Sequence, residues 1–379
     1  MAFLLISMHA TGIGAQTTLA DLYHDGEVRF VPEITITDAD LPEDVYLTGF
    51  EQTWAITVDA GGNIYFADFG ANNIKKFDQA GRFLNVIGRE GSGPGDFRMP
   101  YFLGHSLDRL VVWDMGNTRF CFLNLEGEFI SARPLDRSEE GWPGKIQTLP
   151  NGDIVMESNK GIFGEAGQEQ ITEIRLYSPE MVFRRIIYSN ENLSRKTLPD
   201  SGRMIPVPFT PRVHWSVTPE NRIVIGFSDE YRIEIHDATT GDMSAFEHEY
   251  SPVRVTRDDQ DTWFASITSS DSEGNITFGA PDYIVDNTEF PRFKPAFGQI
   301  MVDSEGNILV QAFRQEMERD FRSFDAFRPS GEFLGTVEIT DGGEYPQVGA
   351  PIIKSCMIVG EQGEFGEISL IKYRISKQE

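Results

Sequence analysis

The stretch Val58–Pro100, VDAGGNIYFADFGANNIKKFDQAGRFLNVIGREGSGPGDFRMP, decides the fold. Apolar and polar residues alternate through IYFAD, break at a polar turn, resume through NIKKF and RFLNVI, and close on a Gly-Pro-rich loop. Period-two alternation sends successive side chains to opposite faces of a strand, so each run reads as a strand and each break as a hairpin turn. The stretch encodes a meander of short antiparallel strands.

The same unit recurs along the chain. VDAGGNIYFAD (58–68) is echoed by GHSLDRLVVWD (104–114), LPNGDIVMES (149–158), TPENRIVIGF (218–227) and VDSEGNILVQA (302–312). Each is a tight polar turn followed by an alternating strand, and Gly62-Asn63, Asn151-Gly152, Glu220-Asn221 and Gly306-Asn307 supply residues that tolerate positive φ. A second hairpin follows each time: IKKFDQAGRFLNVI, FCFLNLEGEFISA, IRLYSPEMVFRRII, IEIHDATTGDMSAF and FDAFRPSGEFLGTV. One unit therefore holds four up-and-down strands, and the spacing of Asp68 and Asp114, about 46 residues, is a propeller-blade period. Sheets that are apolar on both faces persist by stacking radially against neighbours.

Five units span Trp54–Gly88, Tyr101–Leu135, Lys145–Tyr188, Val213–Tyr250 and Phe297–Ile339. A sixth, APIIKSCMIVGEQGEFGEISLIKYRI (350–375), supplies three strands, and EVRFVPEITIT (27–37) is the candidate for the fourth. The predicted fold is all-β: a six-bladed β-propeller of four-stranded antiparallel blades, its ring closed by an N-terminal strand joining the last blade and so leaving no open edge. Two departures from the period stand out. About 45 extra residues separate units four and five, giving a partly helical insertion at about 251–296, with Thr256 and the acidic residues after it marking a helix start that runs to about Ile267. Within unit five, RQEMERDFRSF (314–324) reads as a long connecting loop with helical character. Long insertions on a ring of short loops gather on one face, where specificity usually resides.

Composition agrees with many short strands joined by turns: 28 Phe, 36 Gly and 20 Pro in 379 residues, with 40% hydrophobic residues for a core. Lys and Arg total 33 against 59 Asp and Glu, a formal charge of -26. Such a surface repels phosphate backbones and anionic lipids, so neither a nucleic-acid partner nor membrane insertion is expected. The apolar run Ala2–Met8, followed by Gly12, Gly14 and Ala15, resembles the end of a secretory signal peptide although it lacks a positive start. Residues 1–15 are therefore expected to be the remnant of that signal and 16–379 a single propeller domain, exported to the periplasm or the exterior. Cys121 and Cys356 lie in the apolar runs RFCFL and KSCMIV of non-neighbouring units and are expected to be free and unreactive.

Unit one also resembles an NHL repeat. The likeness lies in the Asp-x-x-Gly-Asn-Ile start, the Ala-Asp-x-x-x-Asn turn, the Phe-Asp-x-x-Gly link and the Gly-x-Gly-Pro-Gly-x-Phe-x-x-Pro exit; units two and five match in part and the others in outline. Over its whole length the chain is similar to uncharacterised exported bacterial six-bladed propeller proteins. That resemblance implies the fold and leaves the chemistry open, because NHL-type propellers include RNA-binding and protein-binding modules and a peptide-amidating lyase using zinc and calcium. Neighbouring families include calcium-dependent lactonases and esterases and strictosidine-synthase-like enzymes.

Each enzymatic reading needs ligands converging on the channel. Zinc would want about three histidines from different blades. Of His9, His24, His105, His214, His236 and His248, only His105 and His214 fall on or beside predicted inner strands. Calcium would want several carboxylates or amides near one end of the channel. The inner strands TWAITV, YFLGHS, KIQTL, VHWSV, FGQIMV and APIIKS carry almost none, and DAGGN and DSEGN are explained as hairpin turns. Asp68 and Asp114 read as turn-holding residues, and GREGSGPGDF lacks the Gly-Lys-Ser/Thr ending of a phosphate loop.

What remains is a basic and aromatic channel mouth. Arg98, Tyr101, His105, Arg212, His214, Trp215, Arg292 and Lys294 lie on or just before predicted inner strands, where cations would attract a carboxylate or sulfated ligand. The expected function is an exported binding module for a peptide, protein or glycan on one face of the ring, with no catalysis and no cofactor, calcium being the ion left open. The alternative is a calcium- or zinc-assisted lactonase, esterase or lyase in the central channel.

Overall fold

Turn chemistry sets where the strands end. Gly62 (φ +85°), Gly152 (+89°), Asn221 (+59°) and Gly306 (+83°) take positive φ in four of the recurring first hairpins. In the second unit Leu107 holds the same place at +56°, a conformation a branched side chain rarely adopts. Asp59 accepts hydrogen bonds from the Asn63 backbone at 2.9 Å and its side chain at 2.8 Å, and Asp303 holds Asn307 in the same way, both at 2.9 Å. The Asp-x-x-Gly-Asn motif is thus a turn clamp.

The computed structural model describes residues 18–24, 27–49, 55–161, 169–270, 276–313, 323–341, 352–353, 356–362 and 368–377. The predicted signal remnant at 1–15 and most of the 314–324 loop lie outside them. Helix α1 (Leu19–His24) leads into β1 (Glu27–Ile36). Blade one is β2 (Ile56–Val58), β3 (Ile64–Asp68), β4 (Asn73–Phe77) and β5 (Phe83–Ile87). Blade two is β6 (Pro100–Ser106), β7 (Arg109–Asp114), β8 (Arg119–Asn124) and β9 (Phe129–Pro134), followed by helix α2 (Arg137–Glu140). Blade three is β10 (Trp142–Thr148), β11 (Ile154–Lys160), β12 (Ile171–Tyr177) and β13 (Phe183–Glu191), followed by a hairpin, β14 (Arg195–Thr197) and β15 (Met204–Pro206). Blade four is β16 (Val213–Val217), β17 (Arg222–Phe227), β18 (Arg232–Asp237) and β19 (Met243–Glu247). An insertion follows, with helix α3 (Arg257–Ser266), hairpin strands β20 (Thr268–Ser270) and β21 (Ile276–Phe278), and helix α4 (Asp282–Val285). Blade five is β22 (Ile300–Val302), β23 (Ile308–Gln311), β24 (Ser323–Phe327) and β25 (Phe333–Asp341), and β26 (Ile352–Ile353), β27 (Cys356–Gln362) and β28 (Ile368–Lys377) belong to blade six.

The N-terminal strand closes the ring as expected. β1 pairs antiparallel with β28 from Val28↔Lys377 to Ile36↔Leu370 and so becomes the outer strand of blade six. It does one thing more. Its first residues pair parallel with the outer strand of blade five, Glu27↔Glu338 through Phe30↔Asp341, so the two blades merge into one eight-stranded sheet. At ten residues, β1 is long enough to reach both partners. Helix α1 covers this junction: Leu19, Ala20 and Tyr23 are buried against Val28, Leu334 and Val337, and the Leu19 N–H donates to Glu305 at 2.9 Å.

Alternation along each second strand divides its side chains between two neighbouring blades. On β3, Tyr65 and Ala67 pack toward Leu110 and Val112 of blade two, whereas Ile64 and Phe66 pack toward Ile36, Ile368 and Leu370 of blade six. On β7, Val111 and Trp113 face Ile154 and Met156 of blade three. Val155 and Leu176 then meet Ile223 and Ile225 of blade four, Val224 and Ile233 meet Ile308 and Val310 of blade five, and Leu309 and Phe324 meet Val28 and Tyr373 of blade six. One apolar cluster fills each of the six junctions. Truncating a fully buried member such as Phe66 to Ala costs about 3–5 kcal/mol.

Two insertions rise from the same face. The helix expected from Thr256 is α3: the Thr256 hydroxyl accepts from the Asp259 N–H at 3.1 Å while the Asp259 carboxylate accepts the Thr256 N–H at 2.8 Å. The second, the β14–β15 hairpin between blades three and four, is not apparent in the sequence. Its Leu198 and Ile205 pack on Ile284 of α4, with Trp263, Ile267 and Ala280 alongside. The insertions therefore support each other.

Candidate functional site

The inner strands β2, β6, β10 and β16 each end their sheets, so one edge of each has no neighbouring strand. Bare backbone groups there are costly unless something meets them. Side chains of β10 meet several. Lys145 Nζ donates to the Trp215 carbonyl at 2.6 Å, Gln147 Oε1 accepts the Val217 N–H at 3.1 Å, and Thr148 Oγ1 donates to the His105 carbonyl at 2.5 Å. Blade three thus ties the channel edges of blades two and four.

Between these strands lies a cavity of about 420 Å³, walled by Ile56, Val58, Phe102, Leu149 and Val217, with His105 and Lys145 also lining it. Burial pulls the Lys145 ammonium down to about 8, with Glu157 opposing the shift. Its Nζ also sits 5.0 Å from the centre of the Trp215 ring. Burial likewise lowers His105, and its Nε2 has no hydrogen-bond partner among the described residues.

A second group stands at the beginning of β16. Trp215 Nε1 donates to Glu157 Oε2 at 3.1 Å and Asn159 Nδ2 to Glu157 Oε1 at 3.0 Å, so both carboxylate oxygens are engaged. A Cβ on Gly144 would come within 2.5 Å of that carboxylate, which keeps the position glycine. Burial, then Arg212 and Lys145, push His214 down to about 3, so its imidazole is neutral at ordinary pH. The ring meets Phe297 edge-on, 5.8 Å between centroids.

Arg212 lines a separate cavity of about 240 Å³ with Glu157, Asn159, Thr172, Glu191 and Arg195. The cavity sits where the chain leaves blade three for the β14–β15 hairpin and rejoins the ring. The Arg212 backbone N–H donates to Ser228 Oγ at 3.0 Å. Its guanidinium makes no hydrogen bond or ion pair among the described residues; the residue is exposed, and the protein atoms crowding the guanidinium lower its pKa while Glu157 opposes the shift.

The other residues of the expected mouth are dispersed. Arg98 is exposed and is held through its backbone, whose N–H donates to Asp114 at 2.7 Å. Tyr101 packs edge-on against Phe69, 6.4 Å between centroids. Arg292 lies over Phe293 at 5.0 Å, and Lys294 is buried in an ion pair with Asp259 at 3.0 Å, tying the insertion's helix to the segment that leads into β22. Of the eight residues, Arg212, His214 and Trp215 form one group and His105 joins the channel cavity. Lys145 and Glu157 were missed; the lysine inside the inner strand KIQTL was the available signal.

The turn carboxylates behave as expected. Asp68 accepts from the Thr48 N–H and hydroxyl, the Ala71 N–H, and the buried Lys75 ammonium at 2.5 Å. Asp114 accepts from Asn117 and Arg119, and Arg119 also donates to three carbonyls of the Gly-rich connection, those of Ser92, Gly93 and Asp96. Cys121 is buried and free, and burial pushes its thiol up to about 11; the Cys356 side chain lies outside the described residues. Among the described residues no three His, Cys, Asp or Glu side chains stand close enough together to hold a metal ion.

No family model and no curated protein matches the chain. Solved structures share its fold. A member of the duf4221 family from Bacteroides vulgatus is 12% identical over 93% of this chain and 99% of its own, with a TM-score of 0.53. A protein of Bacteroides fragilis named as exported is 12% identical over 93% of this chain and 95% of its own, with a TM-score of 0.49. Virginiamycin B lyase from Staphylococcus aureus is 16% identical over 91% and 98%, with a TM-score of 0.39. The architecture is that of six-bladed β-propeller proteins, and at these identities the likeness concerns the fold alone.

Proposed function

We propose that the chain is an exported β-propeller that binds a peptide, protein or glycan carrying an anionic group, on the face bearing the two insertions. One observation carries the reading: Arg212, an exposed residue whose guanidinium has no ion pair among the described residues, lines a cavity at the foot of the β14–β15 hairpin. An arginine so placed favours a carboxylate or sulfate presented in the plane of its donors. The mutual packing of Ile205 and Ile284 gives the face a fixed wall, and pre-ordering of that kind lowers the cost of holding a ligand. The apolar run Ala2–Met8 supports export, and the charge of -26 disfavours nucleic acid as the ligand.

The test uses oligogalacturonate and an oligoglutamate peptide as probes, with a neutral glucan and an uncharged peptide as controls. Wild type is expected to bind at least one anionic probe saturably. Arg212→Glu is expected to abolish that binding and leave the urea unfolding midpoint in place. Binding unchanged by the charge reversal, or absent for both anionic probes, refutes the assignment.

A further inference from the structure

The channel cavity is distinct from the Arg212 cavity and carries its own chemistry. Its walls are largely aliphatic and aromatic, and no carboxylate is among the described residues lining it. One cation there has bonding capacity left. Lys145 Nζ has three N–H donors, and among the described residues it has one hydrogen bond, to the Trp215 carbonyl. His105 Nε2 also has no partner among them, but it is enclosed and offers the cavity no surface. We propose that the channel binds a small apolar monocarboxylate, its carboxylate on Lys145 and its hydrocarbon body along Ile56, Phe102, Leu149 and Val217.

Charge and size both restrict the class. A dianion would bring one charge with no lysine or arginine besides Lys145 among the described residues lining the cavity, whereas a monoanion is matched. A volume of about 420 Å³ falls in the range of ordinary small-molecule pockets and accepts a body the size of a phenylalkyl chain. The site is rigid on the lysine side, because the bond to the Trp215 carbonyl and the contact with the Trp215 ring fix the ammonium before any ligand arrives.

The probes are 3-phenylpropionate and its amide, 3-phenylpropionamide, titrated calorimetrically into the full chain. The acid is expected to bind wild type at least about tenfold more tightly than the amide, as a charge-assisted hydrogen bond in a desolvated site requires. Lys145→Met should bring the two affinities within about twofold of each other by weakening the acid alone. Thr57→Phe, which fills the cavity from β2 without touching the lysine, should weaken both ligands together. Equal affinity of acid and amide for wild type, acid binding that survives either substitution, or no binding of the acid at millimolar concentration would each overturn the proposal.

Discussion

Lys145 Nζ lies 2.6 Å from the carbonyl oxygen of Trp215, a contact that joins the third blade to the fourth across the wall of the channel. Burial holds this ammonium at about 8, below the ordinary lysine value of 10.5, so the unfolded chain binds the extra proton through that window. Stability attributable to the residue therefore rises as pH climbs from about 8 toward 10.5. Comparing urea unfolding of wild type and Lys145→Met at pH 7 and pH 9.5 should show wild type gaining on the variant at the higher pH. A constant difference would contradict the burial of that charge.

His214 acts in the same direction, but in the acid range. Its folded value near 3 lies below the ordinary 6.5, so on acidification the unfolded chain takes the proton first. The stability difference between wild type and His214→Gln should shift against wild type by about 1.4 kcal/mol per pH unit below pH 6. Removing Arg212 or Lys145, the cations that depress this histidine, should raise its folded value and so narrow the pH window over which the shift accumulates.

These polar contacts were the least legible part of the sequence. Alternation announces which strands exist and Asp-x-x-Gly-Asn announces their turns, because both signals are local; the blades, the Thr256 helix and the joining of β1 to β28 follow from them. Lys145 and Lys75 sit in strands whose burial comes from neighbours far along the chain, so no local pattern marks them as interior. The parallel pairing of β1 with β25 is a matter of length and register, and the β14–β15 hairpin has strands of only three residues. Of the residues expected at the mouth, Arg212, His214 and Trp215 stand together at the start of β16, whereas Lys294, ahead of β22, is held by the insertion's helix.

The buried pair Lys75–Asp68 supplies a stability test. Removing the lysine alone leaves the enclosed Asp68 carboxylate without its counter-charge, so Lys75→Met is expected to cost about 3–5 kcal/mol in urea unfolding. Lys75→Met with Asp68→Asn should cost less than the single change, since no isolated charge then remains. A double variant weaker than the single one would count against this account of the pair.

Ile205 anchors the β14–β15 hairpin and is fully buried. Ile205→Asp should release the hairpin from α4, exposing residues 195–206 to rapid limited proteolysis while the unfolding midpoint of the ring changes little. Binding of the anionic probe at Arg212 should weaken in the same variant. Proteolysis as slow as wild type would mean that the two insertions do not support each other.

The channel, its mouth and the face above it exist only if the ends of the chain meet in one blade. Thr35 and Ile371 stand opposite each other in the antiparallel pairing of β1 with β28, at a separation that a disulfide can span. In a background with both native cysteines replaced by Ala, Thr35→Cys with Ile371→Cys should oxidise to an intramolecular disulfide in the folded protein, detected by mass spectrometry, and raise the urea midpoint. A control joining Thr35→Cys with Ile186→Cys of the third blade should stay reduced. Free thiols at 35 and 371 in a folded chain under the same oxidant would contradict the closed ring.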